Sequence, residues 1–360
     1  MVLDFTKEAI GNAETHSINF GDLKAGKANI KVFGCGGCGG NMVTWLFNKG
    51  INGATVYAAN TDALHLSVTK ADDKILIGKE LTRGLGAGGK PQIGREATRE
   101  ALVDVKKSIG GADMVFVLAG MGGGTGTGAA PVVAQIAKES GAVVIGVVTM
   151  PFESEKARID KAEFGLQELR DNTDTCIVLD NNRLVDIAGQ LPIEQAFAVA
   201  NELVSTMIKG IVETITLPSL INLDYADVSS IMKNGGVAVI GIGESDSNSD
   251  KVNESVKQAL THPLLDVDYQ GATGALIHVT CGPDLKLEEF DVIGRSVSEN
   301  LSPDAQVIIG ARISKEFVGK VRVITIMTGV KSPYVLGKQL EQEAMPMSRE
   351  VSDLGIDVWR

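Results

Sequence analysis

Apolar residues fall along this chain in short dense runs separated by mixed, amphipathic stretches. NIKVFG (29–34), ATVYAAN (54–60), KILIG (74–78), DMVFVLA (113–119), AVVIGVVT (142–149) and TCIVLD (175–180) are largely unbroken and rich in β-branched residues. A strand with one wet face alternates, so unbroken runs predict strands buried on both faces, as in a parallel sheet. Helical patterns occupy the intervals near 41–49, 94–110, 129–140 and 157–171. Strand and helix in alternation predict an α/β, Rossmann-like parallel sheet wound on both faces.

PIEQAFAVANELVSTMIKGIVETITLP then runs from Pro192 to Pro218 without a break. Ile193, Phe197, Ala200, Val204, Ile208, Ile211 and Ile215 form a stripe at three-and-four spacing, and Ala196, Val199, Leu203 and Met207 widen it. A helix of roughly 35–40 Å that is apolar on most sides is expected to lie buried between two bodies of protein. Beyond it GVAVIGIGE, ALIHVTCG, QVIIGARI and VRVITIMTGV alternate with helical stretches near 250–261 and 285–300. The expected organisation is an N-terminal arm (1–28), a nucleotide-binding α/β domain (29–191), a central helix (192–218), a smaller α/β domain with a mixed sheet (219–330), and a linker with a tail (331–360).

The strand–helix junctions hold the candidate chemistry. In AGMGGGTGTGAAP (119–131), six of thirteen residues are glycine. Unpaired N–H groups at a helix start attract anions, and a phosphate reaches them only where side chains are absent. Gly122, Gly123, Gly124, Gly126 and Gly128 are expected to clear that space, with Thr125 and Thr127 offering hydroxyls. A tight packing turn needs one or two glycines, so the run points to a phosphate grip. GCGGCGGN (34–41) is a second loop of this kind and satisfies GxGxxG through Gly34, Gly36 and Gly39. A dinucleotide fold also expects an acid at the end of the second strand, where Asn60 stands and Asp62 follows two residues late. GLGAGGKP (84–91) imitates a P-loop, but Pro91 replaces the Ser or Thr that would hold Mg²⁺, which excludes a Walker-type NTPase. Three glycine loops on one sheet imply a polyphosphate ligand.

Composition narrows the classes. A net charge of −11 argues against non-specific nucleic-acid binding. Neither a leader pattern nor a charge-free apolar stretch of about 18 residues occurs, so a cytoplasmic protein without membrane insertion is expected. Cys35 and Cys38 form one CxxC with no second pair, and the four histidines are scattered, so no metal-ligating set is expected. Cys38, near a helix start, is a candidate reactive thiol.

GGGTGTG (122–128), with GCGGCGGN, NTDA, GLGAGGKP, VVTMPF, AFAVAN and NLDYADV in that order, resembles the tubulin/FtsZ superfamily, and its FtsZ branch in particular. The resemblance covers about residues 29–330. It implies a cell-division GTPase that forms filaments at midcell and binds GTP/GDP with Mg²⁺ held mainly by phosphates and water. It maps phosphate contacts to Gly36, Gly37, Gly122, Gly123, Gly124, Thr125 and Gly126, with Asn41 a further nucleotide contact. Ala87 and Gly88 fall near the γ-phosphate. Asn60 and Thr149 match further nucleotide contacts, Glu155 and Arg158 match ribose and guanosine contacts, and Asn181, Phe197 and Asn201 match the guanine pocket. Phe197 and Asn201 are four apart on one helix, so a ring and an amide share a face. Asp224 and Asp227, with Asn222, would act on the nucleotide of the next subunit. The implied partners are further copies of the chain and a membrane-tethering adaptor at Leu354–Trp359, where Leu354, Ile356, Val358 and Trp359 are apolar. A tubulin-like paralogue controlling cell shape and an NAD-dependent oxidoreductase are the alternatives; a second glycine loop and NLDYADV speak against the latter.

Overall fold

The computed structural model describes residues 28–217, 219–221, 223–233, 236–247, 250–261, 269–299 and 301–330. Six strands, β1 (Ile30–Cys35), β2 (Ala54–Asn60), β3 (Asp73–Leu76), β4 (Met114–Gly120), β5 (Val143–Met150) and β6 (Thr175–Asp180), pair in parallel in the order 3-2-1-4-5-6. Every residue of β5 is buried and β4 is buried up to Gly120, as unbroken apolar runs demand. The order reverses between β1 and β4, where such sheets open a crevice beyond the strands' carboxyl ends.

The helices of this half are α1 (Gly36–Lys49), α2 (Ala63–Val68), α3 (Lys79–Thr82), α4 (Pro91–Glu100), α5 (Leu102–Ile109), α6 (Thr125–Glu139), α7 (Lys156–Asp171) and α8 (Asn181–Ala188). Local chemistry fixes several starts. The Asp62 carboxylate accepts from His65 N at 3.0 Å and caps α2. Asp180 does the same for α8 through Asn182 N at 2.8 Å, and Pro91 opens α4, where its missing N–H costs nothing. Three of the expected helices differ from expectation. The stretch 94–110 is two helices, parted at Ala101 with φ −90° and ψ 19°. Helices α1 and α6 begin earlier than the apolar period indicates, because glycine forms their first turns.

Helix α9 (Ile193–Thr216) is the central helix, and its burial corrects the sequence reading. Val204, Met207, Ile208, Ile211 and Val212 are buried against both halves of the molecule. The first turns are not: Ile193 is 75% and Phe197 39% exposed. The apolar stripe therefore serves as core only in its second half.

After α9 come α10 (Tyr225–Lys233), β7 (Gly236–Ser245), α11 (Lys251–Leu260), β8 (Gly274–Cys281), α12 (Leu287–Ser298), β9 (Gln306–Ile313) and β10 (Val321–Thr328). Strand β10 runs antiparallel to β7 and β8, while β8 and β9 are parallel, which makes a mixed sheet. Two residue pairs, Thr175 with Gly236 and Cys176 with Val237, join β6 to β7 and make one ten-stranded sheet. One core layer fills the space between the sheet and α1, α9 and α10, and a second lies under α4 to α7. A third packs α11 and α12 on the mixed sheet.

Candidate functional site

Both long glycine loops open at the reversal point of the sheet. Cys35 ends β1 and α1 begins at Gly36; Gly120 ends β4 and α6 begins at Thr125. Two helix N-termini thus converge on one cavity of about 410 Å³, and their partial positive charges favour an anion there.

The cavity gathers most of the expected residues. Gly37 and Asn41 line it from α1, Gly123, Gly124, Thr125 and Gly126 from the β4–α6 turn, and Thr149 from the end of β5. Glu155 and Arg158 line it from the start of α7, Asn181 from α8, and Phe197 and Asn201 from α9. Arg158 Nη1 donates to Glu155 Oε2 at 2.6 Å. Phe197 meets Phe152 edge to face, with centroids 6.1 Å apart, so one end of the cavity is aromatic. The Asn201 amide lies on that side of the same helix.

Five expected residues sit just outside the lining. Gly36, at φ +73°, packs on the Gly126 backbone, where a Cβ would come within 2.8 Å of its nitrogen. Gly122, at φ +92°, lies against Arg158, whose Cβ would be 2.8 Å from an added Cβ. Asn60 is buried and turns to the α2 cap: its Oδ1 accepts from Asp62 N at 3.2 Å, and its amide lies 3.4 Å from His65 Nδ1. Ala87 and Gly88 belong to the 84–91 loop, which folds against Gly124: a Cβ there would meet the Ala87 Cβ at 2.8 Å and Lys90 N at 2.9 Å.

Three expectations about this cavity are corrected. The glycines do not all clear space for a ligand. A Cβ on Gly128 would lie 2.0 Å from Pro91 O, one on Gly39 2.4 Å from Leu118 O, and one on Gly126 2.6 Å from Gly120 O. These glycines let backbones touch, whereas Gly123 has nothing within 4 Å. Thr127 is not available as a phosphate donor: it is buried, and its hydroxyl accepts from Gly122 N at 2.9 Å, bracing the loop. Thr125 does remain at the lining, with its hydroxyl 2.6 Å from that of Thr61. Cys38 lines the cavity half-buried with its Sγ 3.5 Å from the Thr149 hydroxyl, and desolvation raises its pKa, which disfavours the thiolate that a reactive cysteine needs.

The lining also includes Cys35, Cys38, Gly120, Met121, Pro151 and Phe152, which sequence reasoning did not select as ligand contacts. Phe152 was within reach of it: an aromatic residue directly after a buried strand and a proline stands at that strand's carboxyl end.

Asp224 and Asp227 lie elsewhere. They bracket the start of α10, where Asp224 Oδ1 accepts from Asp227 N at 2.8 Å and Asp227 Oδ2 from Asp224 N at 3.3 Å. Between them Tyr225 donates its hydroxyl to Asp113 O at 2.8 Å. Asp113 precedes β4, whereas the glycine turn follows it. Seven residues of strand separate the two ends, roughly 20 Å at about 3.3 Å per residue. The acids and the cavity therefore occupy opposite edges of the parallel sheet. Asn222 lies outside the described residues, as does the tail at Leu354–Trp359.

Comparison with known proteins identifies the family and the fold. The sequence profile of the Tubulin/FtsZ family, GTPase domain, matches residues 29–189, and that of the FtsZ family, C-terminal domain, matches 236–331. Cell division protein FtsZ 2 of Halobacterium salinarum is 52% identical over 355 residues, which is 98% of this chain and 90% of that protein. The chain belongs to the FtsZ family. An FtsZ dimer of Methanocaldococcus jannaschii superposes with a TM-score of 0.79 at 50% identity, covering 90% of this chain and 92% of that one. CetZ2 of Haloferax volcanii, solved as a GTPγS-bound protofilament, gives a TM-score of 0.74 at 22% identity over 88% and 97% of the two chains, a likeness of fold.

As an FtsZ-family chain it carries a tubulin-type GTPase domain, which implies binding of GTP and GDP. The oxidoreductase alternative has no support in this assignment. No helix among the described residues is long and apolar enough to cross a membrane.

Proposed function

We propose that this chain polymerises head to tail in a GTP-dependent way to build the division ring, and that GTP held by one subunit is hydrolysed with the NLDYADV loop of the next. One observation carries the reading: the acids and the cavity lie at opposite edges of one sheet, roughly 20 Å apart along β4. One chain cannot bring them together without unfolding its core, whereas a second copy stacked along the strand direction can. Such a contact is heterologous and does not close, so it yields filaments. Exposed apolar residues at both ends suit it. Val185, Leu191 and Ile193 stand exposed near the cavity mouth, and Leu220 and Ile221 stand exposed beside the acids.

In this reading the triphosphate lies on the N-termini of α1 and α6, with Gly36, Gly37, Asn41, Gly122 to Gly126, Ala87 and Gly88 around it. Glu155, Arg158 and Thr149 face the ribose side. Phe197 and Asn201, with Asn181, take the guanine: a ring to stack and amides to read its edge. Asp224 and Asp227 orient the attacking water and accept its proton, and Asn222 would help to position that water. Mg²⁺ would neutralise the phosphates and be held chiefly by them and by water. Among the described residues no three His, Cys, Asp or Glu cluster as a metal set. The apolar tail at Leu354–Trp359 would engage an adaptor that tethers cytoplasmic filaments to the membrane at midcell.

Hydrolysis per chain should be near zero at high dilution and rise together with light scattering. Asp224→Ala should assemble and hydrolyse poorly. Activity per chain that stays flat on dilution would place catalysis within one subunit and overturn the reading.

A further inference from the structure

Strand β9 is the outer edge of the ten-stranded sheet, and that edge is apolar. Its first part reads QVIIGA (306–311), with no charge before Arg312, and Val307, Ile308 and Ile309 are only half-buried. One side of the strand pairs with β8. On the other side Ala311 N donates to Ile221 O and Ala311 O accepts from Ile221 N, both at 3.1 Å. Backbone groups alternate in direction along a strand, so Val307 and Ile309 turn their N–H and C=O the same way as Ala311. Among the described residues those groups have no partner. An edge of this kind is a template for another strand, and proteins ordinarily blunt it with charge, proline or a covering segment.

Beside this edge lies a groove of about 680 Å³, lined by Leu287, Phe290 and Gly294 of α12 and by Ile309. Leu287 is 83% exposed. A Cβ on Gly294 would come within 2.8 Å of Ile309 Cδ1, so α12 presses on the strand with no side chain between them. Open hydrogen-bonding groups next to an apolar groove suit an added strand: backbone bonds hold it, and alternate side chains enter the groove.

The tail of this chain has the matching pattern. In DLGIDVWR, Leu354, Ile356 and Val358 alternate with Gly355 and Asp357, which is the period of a strand. The tail also starts close by. Thr328 pairs with Gly274, and Gly274 with Gln306, so Val330 leaves β10 about 10 Å, two strand spacings, from the start of β9. The 23 residues from Lys331 to Asp353 span at most roughly 75 Å, so Leu354 reaches the edge with slack. A flexible tether of that reach supplies an effective concentration on the order of millimolar, above that of a second copy in dilute solution.

We propose that residues 354–359 add to β9 as a further strand, with Leu354, Ile356 and Val358 in the groove, and that this docking restrains the unassembled chain from polymerising. The second part rests on the head-to-tail reading above. Ile221, on the same edge, leads into the loop that carries Asp224 and Asp227, so a docked tail stands beside the surface that the next subunit needs. The residues that would engage an adaptor are the ones that cover β9, and an adaptor that takes them uncovers the edge.

Hydrogen exchange on the full chain with GDP, below its assembly threshold, reads the contact directly. The segment 306–310 should exchange about tenfold more slowly in the unsubstituted chain than in the double variant Ile356→Asp, Val358→Asp, and the protection should not depend on protein concentration. Leu287→Lys, at an exposed groove position, should lose the same protection while the thermal midpoint holds. In both variants, scattering after GTP is added should begin at a lower protein concentration. Equal exchange in all three chains would overturn the docking. So would protection that grows with protein concentration, which would assign the edge to a contact between copies. Faster exchange in the variants with an unchanged scattering threshold would overturn the restraint on assembly and support the docking. Failure of the unsubstituted chain to scatter with GTP at any concentration, with its protection intact, would instead sink the head-to-tail reading.

Discussion

Single glycines in this molecule do two different jobs that look alike in the sequence, and substitution should separate them. An alanine at Gly128 drives a Cβ to 2.0 Å from Pro91 O, a backbone atom that cannot swing away. Gly128→Ala should therefore cost at least about 1–3 kcal/mol and lower the urea midpoint. Gly123 faces open space, so Gly123→Ala should leave stability within about 0.5 kcal/mol while weakening nucleotide binding, read by calorimetry. His278 offers a second test at this scale. Its ring is buried on β8 with Nδ1 unpartnered among the described residues, and burial, helped by Arg312, lowers its pKa to about 4. The unfolded chain binds a proton near pH 6.5 and the folded chain does not, so this group's contribution is complete above pH 6.5 and is lost as pH falls toward 4. Between pH 7.5 and 4.5 the loss is about 2–3 kcal/mol by linkage. In His278→Asn, denaturant unfolding at the two pH values should show a smaller difference by about that amount; an unchanged difference would rule it out.

At the scale of elements, the parallel sheet was legible because buried strands leave unbroken apolar runs, and all six of its strands fall within two residues of the predicted spans. Short helices such as α2, α8 and α10 were not, since six to nine residues complete too few turns to show a period, and a single capping acid such as Asp62 or Asp180 does not mark a helix start on its own. The central helix shows the limit of periodicity as a guide to burial. Its stripe from Ile193 to Ile215 is regular, yet the first turns leave the core and pass beside the cavity. An apolar residue recurring at helical spacing says that something covers it, not that the same chain does. In the present account a second copy covers Ile193. Ile193→Lys should leave the thermal midpoint nearly unchanged, because the residue is 75% exposed in the single chain, and should raise the protein concentration at which scattering begins. An unaltered threshold would remove this helix from the contact. The same helix is anchored farther along: Glu202 accepts from Trp45 Nε1 at 2.6 Å and pairs with Lys49 of α1, and Glu213 pairs with Arg312 of β9. It therefore ties α1 to the mixed sheet.

Taken whole, the molecule has a direction. Parallel strands place every βα turn at one edge and every αβ return at the other, so a ligand cavity and a remote acidic loop become two ends of one axis. The candidate site was half legible for that reason: glycine spacing reveals the cavity edge, whereas nothing local in NLDYADV distinguishes it from a helix cap, which it also is. Its proposed meaning depends on a neighbour. The measurement that tests this most directly mixes two full-length variants. Asp224→Ala keeps an intact cavity but lacks an acid; Gly124→Val, whose side chain would collide with Ala87 and Lys90 N and so distort the glycine turn, keeps the acids but spoils the cavity. Each alone should hydrolyse GTP at a small fraction of the unsubstituted rate, and mixing them should restore activity as the acids of one reach the nucleotide of the other. A mixture that stays silent, although both variants are folded and Asp224→Ala binds GTP, would contradict the account, as would full activity in Asp224→Ala alone.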